Sequence, residues 1–481
     1  MAFLDNSENH RANWWSGRWV GLIAASVGMF LGSLDITVNV ALPDITSSFG
    51  TDVQTVQWII IFYVGGTTGL QLSLGSAADL YGLKRFYVIG LVTYTVAVLL
   101  IGIAPLLSMV FGLRVLQAVG NGLILASAPA LVTSIFPPEQ RGRGLGLMAG
   151  IAALGTVTGA LGGGALVDSF GWRAIFLGRV PFGVLAVVLA VVSLREQPHS
   201  SAQVFDFRGA VALFAGLAMF ILFLTLGGRS GWTAPHVLLL LVASAISLIG
   251  FVFLQRSALR PILDLYLLRH RVLLPVVIAS FLMSFATFVN LFVLPFYVSD
   301  TLKVGARTLG FLLMLAPIVS GAAAPLGGWM SDRMPPAYLT TMALIIVALA
   351  MYWFSLLDAN STVPQVALRM ATLGIGMGLF QAANATLIMS TVPGDRLGTG
   401  GAILSISRSM GTVCSVAVMG AVFASRLDIH VLSLAQQGIA GETGSAMAFV
   451  MAFKDTYLVS ALVAGAALLV SLSYWPQMIR K

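Results

Sequence analysis

A single acidic side chain lies well inside a long apolar stretch near the start of the chain, where it can carry a proton. A carboxylate at the centre of a membrane-spanning helix costs about 2.5–3.5 kcal/mol on insertion scales, so Asp35 is expected to have a compensating role. Burial favours the protonated form of a carboxyl group, which predicts that Asp35 binds and releases protons. Asn39 lies one helical turn away and can bond to either form. A structural pair with an arginine is the alternative.

Three polar residues in another apolar stretch are candidate partners of Asp35. Arg114, Gln117 and Asn121 recur at helical spacing, so they share roughly one helix face. An arginine stays charged in proteins, so Arg114 can bias the charge of Asp35 but cannot carry the proton. Two roles stay open for these residues: proton coupling with substrate binding, or hydrogen bonds that hold helices together.

An aromatic stripe with a nearby amide, and two later amides, are candidate contacts for a small-molecule substrate. In chain order these candidates are Phe281, Phe285, Phe288, Asn290, Phe292, Gln381 and Asn384. The four phenylalanines recur every three or four residues, so they share one helix face. That face is either an apolar wall for an amphipathic molecule or ordinary lipid contact. The two later amides are better cavity candidates, because polar side chains avoid lipid.

Arg179 is an unexpected charge in another apolar stretch. Two positions are open for its side chain. It extends to the membrane interface, as long cationic side chains do, or it lines the cavity. In the cavity it would favour an anionic or zwitterionic substrate over a lipophilic cation.

The composition places all these residues in a membrane protein. The chain has 481 residues, of which 58% are hydrophobic and 9% charged, whereas soluble domains carry roughly 25% charged residues. Unbroken apolar runs of about 20 residues predict fourteen spanning helices and exclude a barrel. Most lysines and arginines fall in loops on one side, so both termini are predicted to be cytoplasmic. The net charge of +8 is therefore attributed to membrane orientation and not to nucleic-acid binding.

Several kinds of site are excluded by the sequence. Cys414 is the only cysteine, so neither an intramolecular disulfide nor a multi-cysteine metal site can form. The chain has no Gly-x-x-x-x-Gly-Lys-Ser/Thr loop for nucleotide phosphates. No cofactor or metal is expected, and the energy is expected to come from an ion gradient, with protons as the expected ion. The segment 425–454 is rich in Ala, Gly, Ser and Gln and is predicted to be a lid or an unstructured connection.

The two halves of the chain repeat one another. Asp79 and Asp332 each follow a short glycine-led segment, and an intramembrane arginine comes at a similar distance after each, at Arg114 and Arg369. Parallel repeats indicate alternating access, in which one bundle rocks against the other around a central pocket. Two six-helix bundles are predicted, at 19–194 and 272–475, joined by a segment with two inserted helices at 195–271. Cytoplasmic tails are predicted at 1–18 and 476–481.

The motifs resemble the major facilitator superfamily, and within it the fourteen-helix drug:proton antiporter branch. Leu34-Asp-Ile-Thr-Val-Asn-Val-Ala-Leu-Pro43 is similar to that branch's first-helix signature. Gly75-Ser-Ala-Ala-Asp79-Leu-Tyr-Gly82-Leu-Lys84-Arg85 resembles the superfamily loop between helices 2 and 3. Arg114-Val-Leu-Gln117-Ala-Val-Gly120 resembles the fourth-helix motif. The fifth-helix antiporter motif reads Gly155-Thr-Val-Thr-Gly159-Ala160-Leu-Gly162-Gly163, with Ala160 in place of the family's proline.

The resemblance implies an all-α secondary transporter of the major facilitator fold. Its implied function is proton-coupled export of amphipathic drugs or other small molecules. Ala160 and Arg179 keep a carrier of one specific, anionic metabolite as the alternative. The resemblance also implies that Asp79 docks against the other bundle and latches the cytoplasmic side. The expected conformational residues are Gly75, Asp79, Gly82, Lys84, Arg85, Gly155, Gly159, Gly163 and Asp332.

The expected partners are a small-molecule substrate and the lipid of the cell membrane. The chain is expected to be a monomer, with a periplasmic adaptor protein as the alternative partner. An enzyme is not expected, because the apolar stretches contain no nucleophile–base pair.

Overall fold

The computed structural model describes residues 5–137, 140–194, 206–257, 270–331, 333–391, 397–439 and 441–475. The first half contains α1 (Asp5–Ser33), α2 (Ile36–Phe49), α3 (Val53–Val56), α4 (Trp58–Tyr81), α5 (Leu83–Ile103), α6 (Leu107–Ile135), α7 (Arg141–Phe170), α8 (Arg173–Leu177) and α9 (Val180–Ser193). Two further helices follow, α10 (Phe207–Ser230) and α11 (Pro235–Ser257). The second half contains α12 (Leu273–Thr287), α13 (Val289–Phe292), α14 (Leu294–Phe296), a π-helical turn (Tyr297–Thr301), α15 (Ala306–Ser331), α16 (Pro336–Phe354), α17 (Val363–Thr391), α18 (Leu397–Gln436) and α19 (Gly441–Leu472).

The prediction of an all-α membrane protein is confirmed over the described ranges. Thirteen helical segments there are long and apolar enough to cross a bilayer. Helix α4 lies between the first and second of these segments and packs against α6, which completes the fourteen predicted helices. Helices are the expected solution, because each one satisfies its own backbone hydrogen bonds in lipid.

Three spanning segments are interrupted, and the interruptions coincide with polar or aromatic candidates. The first segment breaks between α1 and α2 at Leu34 and Asp35, and the sixth breaks between α8 and α9 at Gly178 and Arg179. The ninth is divided into short helices by breaks near Phe288 and Val293. Irregular backbone at membrane depth must find partners within the protein. Polar side chains near these breaks can therefore supply hydrogen bonds to the backbone groups that the helix no longer pairs.

The inserted pair α10 and α11 packs on both halves of the molecule. Phe214 of α10 lies against Gly69 of α4, and Ile221 lies against Gly65 of the same helix. On the other side, α10 packs against α18, where Met410 contacts the small cluster around Leu213. The insert thus borders both bundles at the edge where α4 and α18 meet.

One prediction about an irregular segment is wrong. The segment 425–454 is not a loop, since α18 continues to Gln436 and α19 begins at Gly441. Helix α18 has 40 residues, so it is about 60 Å long and extends well beyond a hydrocarbon core of about 30 Å. Within the segment 1–18, α1 begins at Asp5, and its assignment as a cytoplasmic tail stays a prediction.

The two bundles meet closely near one end of the molecule. Helix α7 crosses α15 there, where the backbone of Gly164 lies against Ala306 and that of Gly310 lies against Ala160. We call this the Asp168 end, and the opposite end, where α4 turns into α5, the Gly82 end. Towards the Gly82 end the same faces of α7 and α15 separate: Gly150 and Gly321 have no neighbouring atom within 4 Å of an added Cβ. Among the described residues, α7 and α15 are therefore in close contact at the Asp168 end and apart towards the Gly82 end.

Candidate functional site

A buried polar cluster forms where the breaks in the first and sixth segments meet. Its members are Asp35, Arg114, Gln117 and Arg179, and only 9% of Asp35 is exposed. The Asp35 carboxylate accepts hydrogen bonds from Arg114 at 3.0 and 2.8 Å, one at each oxygen, in a bidentate pair. Gln117 donates to the same carboxylate at 3.1 Å and Arg179 at 2.8 Å. The sequence prediction that Asp35 and Arg114 lie together is therefore confirmed.

Several contacts besides Asp35 hold the Arg114 guanidinium in place. Its Nε donates to the carbonyl of Ile59 at 3.0 Å, and its Nη1 donates to Gln117 at 2.7 Å. The guanidinium also lies 4.2 Å from the centre of the Tyr63 ring, a favourable cation–π distance. Gln117 sits one turn further along α6, so helical spacing alone brings its amide to the pair.

Arg179 does not reach the membrane interface, and the interpretation that it extends there is wrong. The residue is only 3% exposed and belongs to the cluster. Besides Asp35, its guanidinium donates to the Leu34 carbonyl at 2.9 Å, to the Tyr94 hydroxyl at 3.3 Å and to the Thr37 hydroxyl. The break at Leu34 offers this carbonyl to a side chain, which explains why a buried cation is retained beside it.

The charges in this cluster do not balance. Two guanidinium groups face one carboxylate, so the cluster carries a net positive charge while Asp35 is ionised. Four donors around one carboxylate strongly favour its ionised form. Separation of some of these contacts would make protonation of Asp35 easier. The other partners of Arg179 all lie outside its own helix, whereas Arg114 also bonds to Gln117 of α6.

Two amides predicted to contact substrate lie close to the cluster without joining it. Asn39 is buried on α2, one turn beyond Asp35, with 8% exposure. Asn121 is buried on α6, packs against Gly32, and its side-chain oxygen has no hydrogen-bond partner in the described part of the chain. Their substrate role stays a prediction.

A cavity of about 200 Å³ opens in the second bundle between α12, α17 and α18. It is lined by Ser280, Met283, Ser284, Thr287, Phe288, Met377, Phe380, Gln381, Asn384, Leu404, Arg408 and Thr412. Three of the predicted substrate contacts, Phe288, Gln381 and Asn384, are thus brought together at one cavity. Sequence reasoning assigned Arg408 no part in it, and one isolated arginine offers no pattern from which such a role can be read.

The remaining aromatic candidates are core residues. Phe285 and Phe292 are 9% and 1% exposed and pack in the main hydrophobic core, so the lipid-facing interpretation is wrong for them. Neither lines the cavity. Phe288, at the break between α12 and α13, is the member of the stripe that lines the cavity. Asn290 is held structurally: its amide donates to the Thr287 carbonyl at 3.0 Å and accepts from Tyr457 at 3.1 Å.

The glycines of α7 serve two different contacts. Gly155, Gly159 and Gly163 pack against α1 and α2 within the first bundle, where an added Cβ at Gly163 would lie 2.7 Å from Thr37. They bring α7 close to the break that holds Asp35, and their conformational role stays a prediction. The neighbouring face, with Gly164, makes the contact with α15 described above.

An interbundle hydrogen-bonded contact closes the Asp168 end, and the sequence reasoning missed it. The Asp168 carboxylate at the end of α7 accepts hydrogen bonds from the backbone amides of Ala306 and Arg307, both at 2.9 Å. A carboxylate at a helix N-terminus satisfies free N–H groups and interacts favourably with the helix dipole. One bundle thus caps a helix of the other.

The predicted latch lies mostly outside the described side chains. Asp332 is outside the described residues, and nothing is described of the side chains of Gly75 and Asp79 within α4. Gly82 has a φ of 111°, which favours glycine at the turn between α4 and α5. Lys84 donates to the Val191 carbonyl near the end of α9 at 2.8 Å, within its own bundle. Arg85 is exposed at this end.

Comparison with known proteins agrees with this architecture. A profile of the Major Facilitator Superfamily matches residues 19–416. The chain is 29% identical over 413 residues to the multidrug resistance protein Stp of Mycobacterium tuberculosis (strain CDC 1551 / Oshkosh), covering 85% of this chain and 76% of that protein. It is 25% identical over 452 residues to the riboflavin transporter RibZ of Clostridioides difficile (strain 630), covering 93% and 95%.

A solved structure shares the fold. The crystal structure of a bacterial homologue of the human lysosomal transporter Spinster, in an inward-facing and unoccupied conformation, superposes with a TM-score of 0.70. It shares 15% sequence identity and covers 96% of this chain and 98% of its own. The profile match, the fourteen helices and this superposition lead to one conclusion: the chain belongs to the major facilitator superfamily.

Proposed function

We propose that this secondary transporter exports amphipathic small molecules in exchange for protons, by alternating access. The observation that carries the proposal is the buried cluster of Asp35 with Arg114 and Arg179, held at breaks in two helices. An ionisable residue at membrane depth is a functional site by default. The multidrug resistance protein among the relatives supports export of drugs.

The proton step follows from the four donors around Asp35. In the conformation described, the Asp35 carboxylate accepts four hydrogen bonds, three of them at one oxygen, and two of its partners are cations. A movement that separates Arg179 from Asp35 removes one cation and its hydrogen bond, which makes protonation easier. Arginine does not titrate in this range, so Asp35 is the group that takes up and releases the proton. Proton binding and the movement of the helices are thereby linked.

The alternating step follows from the asymmetric contact between the bundles. With both termini in the cytoplasm of the cell, the Asp168 end faces outwards and the Gly82 end faces inwards. The conformation described is then closed outside, with the Asp168 carboxylate bound to the start of α15. Rocking would break this contact and bring the small-residue faces around Gly150 and Gly321 together. A substrate in the central space would then be released outside.

A second candidate function is transport of one specific metabolite. Two observations favour it: Arg408 lines the cavity with a positive charge, and Ala160 replaces the proline of the antiporter motif. The riboflavin transporter among the relatives, which aligns over nearly its whole length, also supports it.

The experiment that separates the two candidates is expression in a host that lacks its own efflux pumps. An exporter of amphipathic compounds raises tolerance to several members of a panel of dyes, quaternary ammonium compounds and acidic antibiotics. The Asp35→Asn variant, checked for equal amounts in the membrane, is the control and should abolish the gain. Unchanged tolerance to the whole panel, with altered accumulation of one labelled solute, would favour the metabolite carrier. Equal tolerance with wild type and Asp35→Asn would contradict the role of Asp35.

A further inference from the structure

The cavity in the second bundle contains one ionisable group and several unsatisfied polar groups. Arg408 on α18 is the only charged residue among the lining side chains. Its guanidinium makes no hydrogen bond or ion pair with the described residues, and no acidic side chain interacts with it. Charged groups inside proteins are normally paired, and the described residues supply no counter-ion for this cation.

The amide of Asn384 points to the same conclusion. Asn384 is only 1% exposed, lines the cavity, and neither its side-chain nitrogen nor its oxygen has a hydrogen-bond partner in the described part. The hydroxyl of Ser280, fully buried on α12, is likewise without a partner there. Buried polar groups of this kind are nearly always satisfied. Donors from three helices thus line one cavity, and none of them has an acceptor in the described part of the chain.

Apolar side chains form much of the rest of the cavity lining, on the same helices as the polar groups. They include Phe288, Phe380, Met283 and Met377, and aromatic and thioether side chains adapt to ligands of different shape. No carboxylate lines the cavity to balance a cationic ligand. Asp35 does not serve this purpose, since its carboxylate is already shared by two guanidinium groups.

We propose that this cavity binds the anionic head of an amphipathic ligand, with Arg408 as its counter-ion. A carboxylate or sulfonate accepts hydrogen bonds from the Arg408 guanidinium, the Asn384 amide and the Ser280 hydroxyl. The apolar part of the ligand packs on the phenylalanines and methionines and extends into the space between the bundles. The proposal deepens the proposed function, on which it rests, by assigning the substrate class as anionic amphipaths and not lipophilic cations.

The test is a pair of fluorescent probes that differ in the sign of the charge. N-dansyl-6-aminohexanoate is an anion, dansylcadaverine is a cation, and both carry the same fluorophore on a chain of similar length. Binding to the purified full-length protein in detergent is followed by the rise of dansyl fluorescence near neutral pH. The anion is expected to bind about tenfold more tightly or better, since a hydrogen bond to a charged group contributes about 1.5–3 kcal/mol.

Variants assign the preference to Arg408. Arg408→Gln should weaken the anion about tenfold without weakening the cation, and Arg408→Lys should keep most of the preference. Arg333→Gln is the matched control, because Arg333 is exposed at the Gly82 end and stacks on Trp329 outside the cavity. It should leave both affinities unchanged.

Three results would overturn the proposal. These are equal or tighter binding of the cation by wild type, an anion affinity that changes less than twofold in Arg408→Gln, and no saturable binding of either probe. The first comparison needs no variant, so it holds even if a variant fails to fold. Binding is measured without a membrane or gradient, so its outcome is separate from that of the proton-coupling experiment. Selective anion binding without proton-driven transport would contradict the coupling and leave the substrate class standing.

Discussion

Neutralising Asp35 should destabilise the protein, and removing one of its two cations should recover much of the loss. In Asp35→Asn, the guanidiniums of Arg114 and Arg179 lose their shared anion. Both donate to the same carboxylate oxygen, at 3.0 and 2.8 Å, so their nitrogens lie within about 6 Å of each other. At an effective dielectric constant of about 20, two positive charges at this distance repel by roughly 3 kcal/mol. Breaking a buried pair by removing one partner costs about 3–5 kcal/mol.

The measurement is thermal unfolding of the purified variants in one detergent, followed by tryptophan fluorescence. Asp35→Asn should unfold at a clearly lower temperature than wild type. Adding Arg179→Gln should raise the unfolding temperature again, because only one guanidinium then remains unpaired. Arg179→Gln is thus expected to lower the stability of the wild type and to raise that of Asp35→Asn. The effects of two destabilising substitutions at distant sites, in contrast, simply add.

The matched control is Asp206→Asn. Asp206 also accepts two hydrogen bonds, from the Gly209 amide and the Gln255 side chain, in a partly buried position, and no arginine pairs with it in the described residues. Its neutralisation should cost about 1 kcal/mol, and Arg179→Gln should lower stability further in that background. A double variant Asp35→Asn/Arg179→Gln that is less stable than Asp35→Asn alone would refute the electrostatic account of the cluster.

Three further predictions concern the moving parts. Asp168→Ala removes the carboxylate that caps α15 from the other bundle, so spin labels at the Asp168 end should show a wider separation of the bundles. Asp206→Ala, which removes a cap about as strong within the insert, should lower stability without widening that distance. Gly150→Leu should block transport while the protein stays folded, because the side chain has space in this conformation but obstructs closure of the Gly82 end. The same change at exposed Gly112 of α6 should leave transport intact. Gly82→Ala should cost about 1–2 kcal/mol, since its φ of 111° is strained for any residue with a Cβ, and a lower unfolding temperature would show it.

The spanning helices and the Asp35–Arg114 pair were predictable from the sequence, for physical reasons. A run of apolar residues long enough to cross a bilayer has few alternatives to a helix, so the number of spanning helices could be read from the sequence. A lone acid at membrane depth needs a cation, and Arg114 with Gln117 one turn away provided the best match.

Other features depended on contacts between distant segments. Arg179 joins Asp35 only because breaks in two helices face each other, and no local pattern shows that meeting. Phe285 and Phe292 lie in the core although their spacing matches a lipid-facing stripe, because other helices cover that face, and the spacing alone does not show which face is covered. The cap of α15 by Asp168 could not be predicted from the sequence either, because an acidic residue at the end of a spanning helix is ordinarily expected to face solvent.

Proton-driven transport in proteoliposomes is the most direct test of the central claim. The protein is reconstituted with a compound identified in the tolerance panel, and the lumen is made acidic relative to the outside. Wild type should accumulate the compound above its external concentration, a protonophore should collapse the accumulation, and Asp35→Asn should only equilibrate it. Protein-free liposomes report passive trapping of the compound. Accumulation that is the same in wild type and Asp35→Asn, or that does not depend on the pH gradient, would contradict the account.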